Sequence, residues 1–346
     1  MNPKLRIAKN ILTDKNKKNI FRIGFEFLHY CWIKKHLTID YFRKSLYRKN
    51  ATNYRNHLSL KEYYAIIESP ELKKNDITNF LDNKLAFALY TEKLDLPTPK
   101  LISYNFNSLY FHNNKEIKIS NIKELESFFR KLFNSEGLDK LFVKPLNEYG
   151  GSNCMLIRLE NLDLQIKTFG KTLLSKSFIH QQVIEQHESI SLIFPKSVNT
   201  LRLDTYLDTN NTPHVLSCVM RFGAGNNVMD NASSGGFFVA VDMKNEILKG
   251  PGRQFINFEA KVFDYHPNTK LKIDGFKLPF LKECIDLAKR ASLSLPSRII
   301  GWDIAITNQG PMLIEGNSNV DLHMTDMAYG GYLKHPLIQE ILKEVS

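Results

Sequence analysis

One short stretch near the C-terminus constrains this chain more than any other. Residues 301–317 read Gly-Trp-Asp-Ile-Ala-Ile-Thr-Asn-Gln-Gly-Pro-Met-Leu-Ile-Glu-Gly-Asn, two short apolar segments separated by turn-forming residues. This pattern predicts a β-hairpin with a three-residue loop at 308–310. With that loop, Asp303 lies opposite Glu315 on the paired strands. Because side chains two apart on a strand share a face, Asn317 joins them there.

Two carboxylates and an amide oxygen on one face form an oxygen-rich group. Mg²⁺ suits such a group, since it usually takes one or two carboxylates together with waters and substrate phosphates. A divalent cation would also offset the repulsion between two like charges held close together. The alternative is a hairpin whose polar face meets solvent, and these residues alone leave both interpretations open.

The composition indicates an ordinary globular protein. A chain of 346 residues can form more than one hydrophobic core, so two or three subdomains are expected. The longest candidate span, residues 20–33, is too short to cross a bilayer and carries charges. No secretory signal is evident at the N-terminus. The four cysteines have no paired spacing, which favours a reduced cytoplasmic compartment and disfavours zinc.

The net charge of +11 is concentrated at the N-terminus. Residues 1–50 hold thirteen Lys or Arg and three acidic residues, a balance of +10, whereas the rest of the chain holds 34 basic against 33 acidic residues. Such asymmetry predicts an acidic partner, whether anionic lipid, nucleic acid or another anionic polymer. Apolar residues at helical spacing in 21–32 favour an amphipathic helix at a membrane surface. The alternative is a helix packed on its own protein with a solvated Lys/Arg face.

Most of the remaining chain follows strand patterns. Helices are expected at 76–94, 122–133 and 279–293 and in much of 1–75. Strands are expected at 101–104, 109–111, 141–145, 154–159, 178–184, 189–194, 200–207, 214–222 and 237–241. The fold class is therefore α+β with largely antiparallel sheets. We expect a basic helical region at 1–75, a first subdomain at 76–188 and a C-terminal subdomain at 189–346.

Two segments have the chemistry of a nucleotide site. Lys144 ends an apolar strand and precedes the polar, glycine-containing stretch 147–153, where backbone N–H groups can approach phosphate oxygens. Downstream, the strand at 178–184 runs into a polar turn. Its end can offer backbone groups to an adenine edge, and Glu188, or alternatively Glu185, can accept the ribose hydroxyls. The alternative in each case is an ordinary solvated turn.

Taken in order, these features resemble the ATP-grasp superfamily over about residues 76–320. The features are Lys84 ahead of a Leu-Pro pair, Val-Lys-Pro at 143–145, a Gly-Gly-Ser loop, a glutamate after a strand and a final Asp…Glu-x-Asn. Within that superfamily the chain resembles the group associated with sugar transfer and exopolysaccharide loci. The segments that carry this second resemblance are 40–48, 197–203, 221–223, 230–236 and 300–303.

The resemblance implies a role for each matching residue. Lys84 and Lys144 would contact the ATP phosphates, and Arg202 and Arg221 the triphosphate or the reaction centre. The phosphate-covering loop would comprise Gly150, Gly151 and Ser152. The adenine-facing segment would comprise Gln181, Gln182, Val183 and Ile184, although the family often has an acid where Gln181 stands. Glu188 would bind ribose, and the Mg²⁺ ligands would be Asp303, Glu315 and Asn317.

The resemblance also implies two α+β subdomains that grip ATP, and an ATP-dependent carboxylate–amine ligase that forms an amide through an acyl phosphate. Its cofactors would be ATP and Mg²⁺, with Mn²⁺ as an alternative ion. Its substrates would be a small carboxylate and an amine, one of them on a sugar-linked precursor for surface polysaccharide or a related metabolite. His323, Asp326 and Asp230 are candidates to deprotonate the amine, but ordinary loop hydrogen bonding is the preferred interpretation for each.

Two other functions stay open at this level. An ATP-grasp-type kinase would transfer the γ-phosphate to a hydroxyl. A non-catalytic basic scaffold would contact anionic membrane through residues 1–50. Specific nucleic-acid binding is not expected, because no recognition motif accompanies the basic segment. The expected location is cytoplasmic, with peripheral contact at the inner face of the membrane as an addition.

Overall fold

The computed structural model describes residues 9–51, 53–148, 153–225, 232, 235–258 and 260–345. They group into two compact units. The first unit takes its residues from Met1–Thr78, Gln186–Pro311 and Asn317–Ser346, and the second from Asn79–Glu185 and Met312–Gly316. The division of the chain at residues 75 and 188 stays a prediction.

The helices are, in chain order, α1 (Ile20–Lys34), α2 (Asp40–Arg43), α3 (Leu60–Ile67), α4 (Asn75–Asp82), α5 (Lys84–Lys93), α6 (Ile122–Glu136), α7 (Leu162–Ser175), α8 (Glu188–Ile193), α9 (Leu281–Leu293), α10 (Leu322–Ala328) and α11 (Pro336–Glu344). The strands are β1 (Leu101–Phe106), β2 (Leu109–His112), β3 (Lys115–Lys118), β4 (Lys140–Pro145), β5 (Met155–Arg158), β6 (Phe178–Gln182), β7 (Thr200–Leu207), β8 (Pro213–Phe222), β9 (Phe237–Asp242), β10 (Ile247–Arg253), β11 (Val262–Phe263), β12 (Ile299–Thr307) and β13 (Gly310–Asn317).

The second unit is built on a six-stranded sheet in the order β3-β2-β1-β6-β4-β5 with antiparallel neighbours. Helix α6 begins at Asn121, whose side chain accepts the N–H of Glu124, and ends at Gly137 in the left-handed conformation. Helices α6 and α7 contribute to the hydrophobic core over this sheet. They approach closely at Gly170, where an added Cβ would lie 2.5 Å from the side chain of Ile122.

The first unit is built on a seven-stranded sheet in the order β11-β10-β9-β8-β7-β12-β13. The predicted pair β7–β8 is antiparallel, with Leu207 opposite Pro213 beside the turn. Helix α9 packs against these central strands through a face that includes Cys284 and Leu287. The predicted α+β class with antiparallel sheets is therefore confirmed.

Helix α1 packs on its own unit, but with an unexpected outward face. Ile23 and Tyr30 face a core that also contains Tyr41, Tyr47 and Ile256. Most of the outward residues are large and apolar. The packing was predicted as one alternative, but of the expected solvated Lys/Arg face α1 itself exposes only Arg22.

Local capping overrides two of the predicted elements. The helix expected over 76–94 is two helices, because Asn83 has extended backbone and accepts hydrogen bonds from the N–H groups of Leu85 and Ala86. The strand expected at 189–194 is the short helix α8. Its N-cap, His187, accepts the N–H of Ser189 through its ring.

Within the ranges described above, none of the helices is long and apolar enough to cross a membrane.

Candidate functional site

Two lysines of the second unit, Lys84 and Lys144, line the same small cavity. Lys84 opens α5 directly after the capping residue Asn83, and its ammonium group donates to the carbonyl of Glu148 at 2.6 Å. Lys144 lies near the end of β4 with only 8% of its surface exposed. Its Nζ is 5.5 Å from the centre of the Phe142 ring. Both side chains line one small cavity of about 10 Å³, which is no larger than a water molecule.

The thiol of Cys154 shows that these lysines converge with a predicted metal ligand. Burial raises the pKa of Cys154, the ammonium groups of Lys144 and Lys84 lower it, and the carboxylate of Glu315 raises it. Such charge effects act over short distances. Charged side chains from three separate parts of the sequence therefore act on the thiol, which follows the predicted phosphate loop by two residues.

Gln181 lines the same cavity and carries a buried acceptor without a partner. Its Nε2 donates to the carbonyl of Pro99 at 3.2 Å, while Oε1 receives no hydrogen bond within the described residues. Leaving such a group unsatisfied costs about 1–3 kcal/mol. An amide oxygen can accept the amino group of adenine, so this residue fits the predicted contact although it is not an acid.

The rest of the predicted adenine segment begins where the sheet ends. Strand β6 stops at Gln182, two residues before the predicted boundary, and the backbone N–H of Gln182 donates to the carbonyl of Lys100 at 3.0 Å. Val183 and Ile184 are half-buried and lie outside the strand. Their backbone groups are therefore not committed to the β6 ladder.

Several predicted residues lie outside the described parts of the chain. These are the phosphate-loop residues Gly150, Gly151 and Ser152 and the candidate base Asp230. Their roles stay predictions.

The two candidates for the ribose carboxylate differ in their contacts. Glu185 forms an ion pair with Lys140 at 2.8 Å. Glu188 is exposed at the start of α8, and its backbone N–H donates to Oδ1 of Asn308 at 3.2 Å. Among the described residues the side chain of Glu188 takes part in no hydrogen bond or ion pair, and its ribose role stays a prediction.

In the first unit, Asp303 is buried beside both predicted arginines. Arg202 lies directly opposite on β7, and its Nε and Nη2 donate to the two carboxylate oxygens at 2.6 and 3.2 Å. Arg221 on β8 places Nη2 2.9 Å from the same carboxylate and donates through Nε to the hydroxyl of Thr200. Two guanidinium groups thus offset the charge for which the sequence suggested a divalent cation.

The hairpin that carries the predicted metal ligands forms, but its loop is shorter than predicted. Only Asn308 and Gln309 lie between β12 and β13, and the hydroxyl of Thr307 donates to the carbonyl of Gly310 at 2.9 Å. Gly310 has a φ of 119°, which favours glycine. The loop between these strands is therefore one residue shorter than predicted, and the expected pairing of Asp303 with Glu315 stays a prediction.

The donor atoms of the predicted metal ligands nevertheless suit Mg²⁺ by their chemistry. Asp303 on β12 and Glu315 and Asn317 on β13 supply oxygen donors. Asn317 donates through Nδ2 to the carbonyl of Gly301 at 3.4 Å, which leaves its Oδ1 a suitable ligand. No group of three or more His, Cys, Asp or Glu side chains in the described ranges could hold a metal. Two carboxylates and an amide fall outside that description.

Asp204 is a buried carboxylate beside this network that the sequence analysis missed. It lies opposite Gly301 and accepts the hydroxyl of Ser217 at 2.5 Å. Burial raises the pKa of Asp204 to about 6, against the lowering effect of Arg202. A Cβ at Gly301 would lie 3.2 Å from Asp204 Oδ1, so the glycine makes room for it. The available signal was a charged residue inside an apolar strand.

The candidate bases His323 and Asp326 lie on α10 rather than in a loop. Asp326 is fully buried, with Nζ of Lys44 at 2.5 Å and Nδ1 of His57 at 2.7 Å. Burial raises the pKa of Asp326, but these two neighbours outweigh it and hold the pKa well below its usual range. His323 stacks on Phe255, and burial lowers its pKa to about 4. Asp326 therefore pairs with residues that are distant in sequence, unlike the local loop hydrogen bonding that was the preferred interpretation.

A basic pocket of about 100 Å³ lies in the first unit. Its lining includes Lys44, Arg48, His57 and Arg253. Arg253 on β10 and Arg221 on β8 both lie opposite Phe238 on the strand between them, β9. Both arginine side chains are therefore on the same face of the sheet. Burial lowers the pKa of Arg253 and nearby Arg48 lowers it further. Within the described ranges no carboxylate pairs with Arg253.

Comparison with solved structures gives distant matches. The ATP-grasp ligase PsnB complexed with its minimal precursor is 11% identical with a TM-score of 0.45, and the match covers 80% of this chain and 63% of PsnB. The chain thus spans a little under two thirds of PsnB. D-alanine–D-alanine ligase from Bacillus anthracis is 14% identical with a TM-score of 0.42, covering 85% and 76% of the two chains. D-alanyl-alanine synthetase A from Vibrio cholerae is also 14% identical, with a TM-score of 0.41 and coverage of 77% and 65%.

At these identities and scores, the structural matches carry no conclusion about substrates. No curated protein sequence matches the chain. The sequence profile of the sugar-transfer associated ATP-grasp family matches residues 69–342, well over half of the chain. The resemblance inferred from the motifs is confirmed, and the chain belongs to the sugar-transfer associated ATP-grasp family.

Proposed function

We propose that this protein is an ATP-dependent ligase that joins a carboxylate to an amine with release of ADP and phosphate. The observation that carries the proposal is the convergence of Lys84, Lys144 and Gln181 on one cavity, with both lysines and Glu315 acting on the Cys154 thiol. Membership of the ATP-grasp family gives the convergence its interpretation. Two ammonium groups beside a glycine-containing loop have the chemistry to hold phosphate oxygens.

The nucleotide contacts follow from the same part of the second unit. Lys84 and Lys144 would contact phosphates, and the buried Oε1 of Gln181 would accept the adenine amino group. Glu188 would bind the ribose hydroxyls. Gly150, Gly151 and Ser152 would cover the phosphates and exclude water, which an acyl phosphate requires because it hydrolyses readily.

The proposed reaction has two balanced steps. A carboxylate oxygen of the substrate attacks the γ-phosphorus, the bond to the β-γ bridging oxygen breaks, and ADP leaves. The amine then attacks the acyl carbon, the bond to the phosphoryl oxygen breaks, and phosphate leaves with the amine proton passing to solvent or a base. Arg202 and Arg221 would stabilise the charge that develops on the transferred group. Asp303 holds both guanidinium groups in place for this role.

Mg²⁺ would be held by Asp303, Glu315 and Asn317, and when bound it neutralises phosphate charge. The donor set fits the ion, with Asp303 shared between the ion and the two arginines. Strands β12 and β13 would orient these three side chains toward the ion.

The basic lining of the pocket favours a substrate that carries an anionic group. Its lining brings Arg253 and Arg48 to a space of about 100 Å³, which suits one carboxylate or phosphate group. Burial of a guanidinium is costly unless an anion accompanies it. An acidic sugar or sugar phosphate would supply such a group, in agreement with the family's association with sugar transfer.

We place the activity in surface polysaccharide or related metabolite synthesis, next to an anionic membrane. The support for this setting is the family description and the +10 balance of residues 1–50. A basic segment of this kind gains attraction from anionic lipid.

The test is ADP release from MgATP with paired panels of carboxylates and amines. A ligase requires both partners, and a substrate labelled with ¹⁸O in its carboxylate must transfer one label to the released phosphate. Lys144→Met should abolish turnover, whereas Lys140→Met, four residues earlier on β4, should retain it. A phosphorylated hydroxyl without an amide would establish a kinase instead. ADP release that depends on no carboxylate–amine pair would contradict the proposal.

A further inference from the structure

Helix α1 exposes a continuous stripe of large apolar side chains. Phe21, Phe25, Leu28 and Trp32 are 84%, 67%, 67% and 76% exposed. Their spacing of four, three and four residues places them along one side of the helix. We refer to these four residues as the apolar stripe. Isolated exposed apolar residues are common, but four in a row on one helix mark a contact surface.

The opposite side of the same helix carries buried charges. Glu26 is 4% exposed and accepts hydrogen bonds from Lys18 Nζ at 2.6 Å and the hydroxyl of Tyr41 at 2.8 Å. Lys34 is 7% exposed and pairs with Glu62 at 2.8 Å. The helix therefore buries paired charges beside Ile23 and Tyr30 and exposes four other large apolar groups. A surface helix that faces water usually exposes a charged or polar side instead.

The orientation of the stripe is fixed by contacts. His29 stacks between Phe25 and Trp32 with ring centres 5.9 and 5.8 Å apart. Its Nδ1 is 2.7 Å from the hydroxyl of Tyr54, a residue of the unit's core. The aromatic rings are thus held outward by the fold.

Further exposed residues at the two ends of α1 extend the surface. Large apolar side chains are exposed before and after the stripe, at Leu12, Ile20, Leu37 and Ile39. Basic side chains are exposed among them, at Lys15, Arg22 and Lys35. Apolar groups bordered by Lys and Arg, with a tryptophan present, are the composition of an interfacial helix.

We propose that the apolar stripe inserts into the interfacial region of an anionic phospholipid bilayer, with α1 lying in the membrane plane. The inference deepens the proposed membrane location and is independent of the ligase activity. A helix of fifteen residues, about 22 Å long, is too short to span a bilayer but can lie along it. Insertion would bring the enzyme to lipid-linked or membrane-associated acceptors.

Charge decides between a bilayer and a second copy of the chain. Two copies joined through the stripe would bring together two segments that each carry a balance of +10. Like charges at that density repel, whereas an anionic lipid surface attracts them. The bilayer is therefore the favoured occupant.

Trp32 allows insertion to be measured directly. The chain has two tryptophans, and Trp302 is 1% exposed in the core of the first unit. Vesicles of phosphatidylcholine and phosphatidylglycerol in equal parts should bind the full chain and shift Trp32 emission to shorter wavelength. Trp32→Phe should still bind but lose that shift. Vesicles of phosphatidylcholine alone should bind more weakly. All measurements are made without ATP, so the result is separate from catalysis.

A double variant tests the stripe itself. Phe21→Ser with Phe25→Ser should weaken partitioning into the anionic vesicles by at least about tenfold, without changing the circular dichroism or the melting temperature. The matched control replaces Leu164 and Leu293, exposed leucines on α7 and α9, by serine and should bind as the native chain does. Unchanged partitioning of the double-serine variant, or no binding by the native chain, would overturn the proposal. A native dimer in light scattering that the serine variant converts to monomer would overturn it in favour of a second copy.

Discussion

Two groups of charged residues, one in each unit, differ in how their charges are arranged. In the first unit, Asp303 lies between Arg202 and Arg221 on adjacent strands, with distances of 2.6 to 3.2 Å. In the second unit, Lys84 and Lys144 lie around a thiol, together with the carboxylate of Glu315. The first group combines opposite charges through the register of the sheet. The second gathers like charges from separate elements.

The difference separates a role in the fold from a role in binding. Removing one member of a buried ion pair leaves a buried charge, so the arginine–aspartate group should affect stability as well as activity. Changing a lysine of the second group should instead affect nucleotide affinity more than stability. A lysine substitution that lowered stability as much as nucleotide affinity, or an arginine substitution that left stability unchanged, would contradict this distinction.

The largest effect is expected from Arg202→Met. It leaves Asp204 buried without a neighbouring guanidinium and Asp303 with Arg221 alone, and the free energy of unfolding should fall by about 3 kcal/mol in urea denaturation. Lys249→Met is the matched control, since Lys249 forms an exposed pair with Asp242 on the same sheet and should change stability little. Equal losses in both variants would mean that the buried network has no special role in the fold.

Substitution of Asp204 should change the stability in a pH-dependent way, by an amount no larger than that expected for Arg202→Met. Burial raises its pKa to about 6, above the 3.8 of an unfolded aspartate. Its contribution to stability is therefore present below about pH 4 and is lost as pH rises through 6. Relative to the native chain, the free energy of unfolding of Asp204→Asn should be higher by up to about 3 kcal/mol at pH 8 and should differ little at pH 4. Asp208, whose pKa is lowered to about 2 by hydrogen bonds led by that with His214, provides the control. Asp208→Asn should show no such trend between pH 4 and 8, and a flat difference for Asp204→Asn would contradict the assignment.

The basic pocket extends the comparison to a third group. Arg253→Leu should weaken the binding of inorganic phosphate by about tenfold, because a charge-assisted hydrogen bond to an anion contributes about 1.5–3 kcal/mol. The measurement is the rise in melting temperature with phosphate at constant ionic strength. Lys249→Met serves again as the control and should respond as the native chain does. An identical rise in the native chain and Arg253→Leu would assign the stabilisation to general salt effects.

The smallest effect is expected at Cys154. MgATP should slow its alkylation by iodoacetamide several-fold, as measured by mass spectrometry of the Cys154 peptide. Cys31, also partly buried but distant in sequence, is an internal control whose rate should not change. Lys144→Met should slow Cys154 alkylation even without ATP, since the ammonium group lowers the pKa of the thiol. Protection of both cysteines alike would indicate a global effect rather than a local site.

The sequence predicted much of the fold because local patterns define its strands. Alternation and turn residues located β7, β8, β12 and β13, and the order of motifs identified the family. Capping decided the errors. The caps at Asn83 and His187 depend on one or two side-chain hydrogen bonds, which hydrophobic periodicity does not reveal. The loop of Asn308 and Gln309 is one residue shorter than predicted, because Gly310 already belongs to β13.

Less of the candidate site could be predicted, because its contacts join distant parts of the chain. Family motifs named Arg202 and Asp303 separately, but only the register of β7 and β12 shows that they pair. Arg253 gave no signal, since it is one basic residue at the end of a strand. The inverted faces of α1 were hidden because Glu26 looked like a solvent residue until Lys18 was found beside it.

The most direct test of the account is Mg²⁺-dependent ATP binding measured by titration calorimetry on the native chain, Lys144→Met, Glu315→Gln and the control Lys140→Met. The account predicts binding by the native chain and the control, a loss of at least about tenfold in affinity for Lys144→Met, and loss of the Mg²⁺ dependence for Glu315→Gln. Equal affinity in all four proteins, or none in the native chain, would contradict the assignment of the nucleotide site.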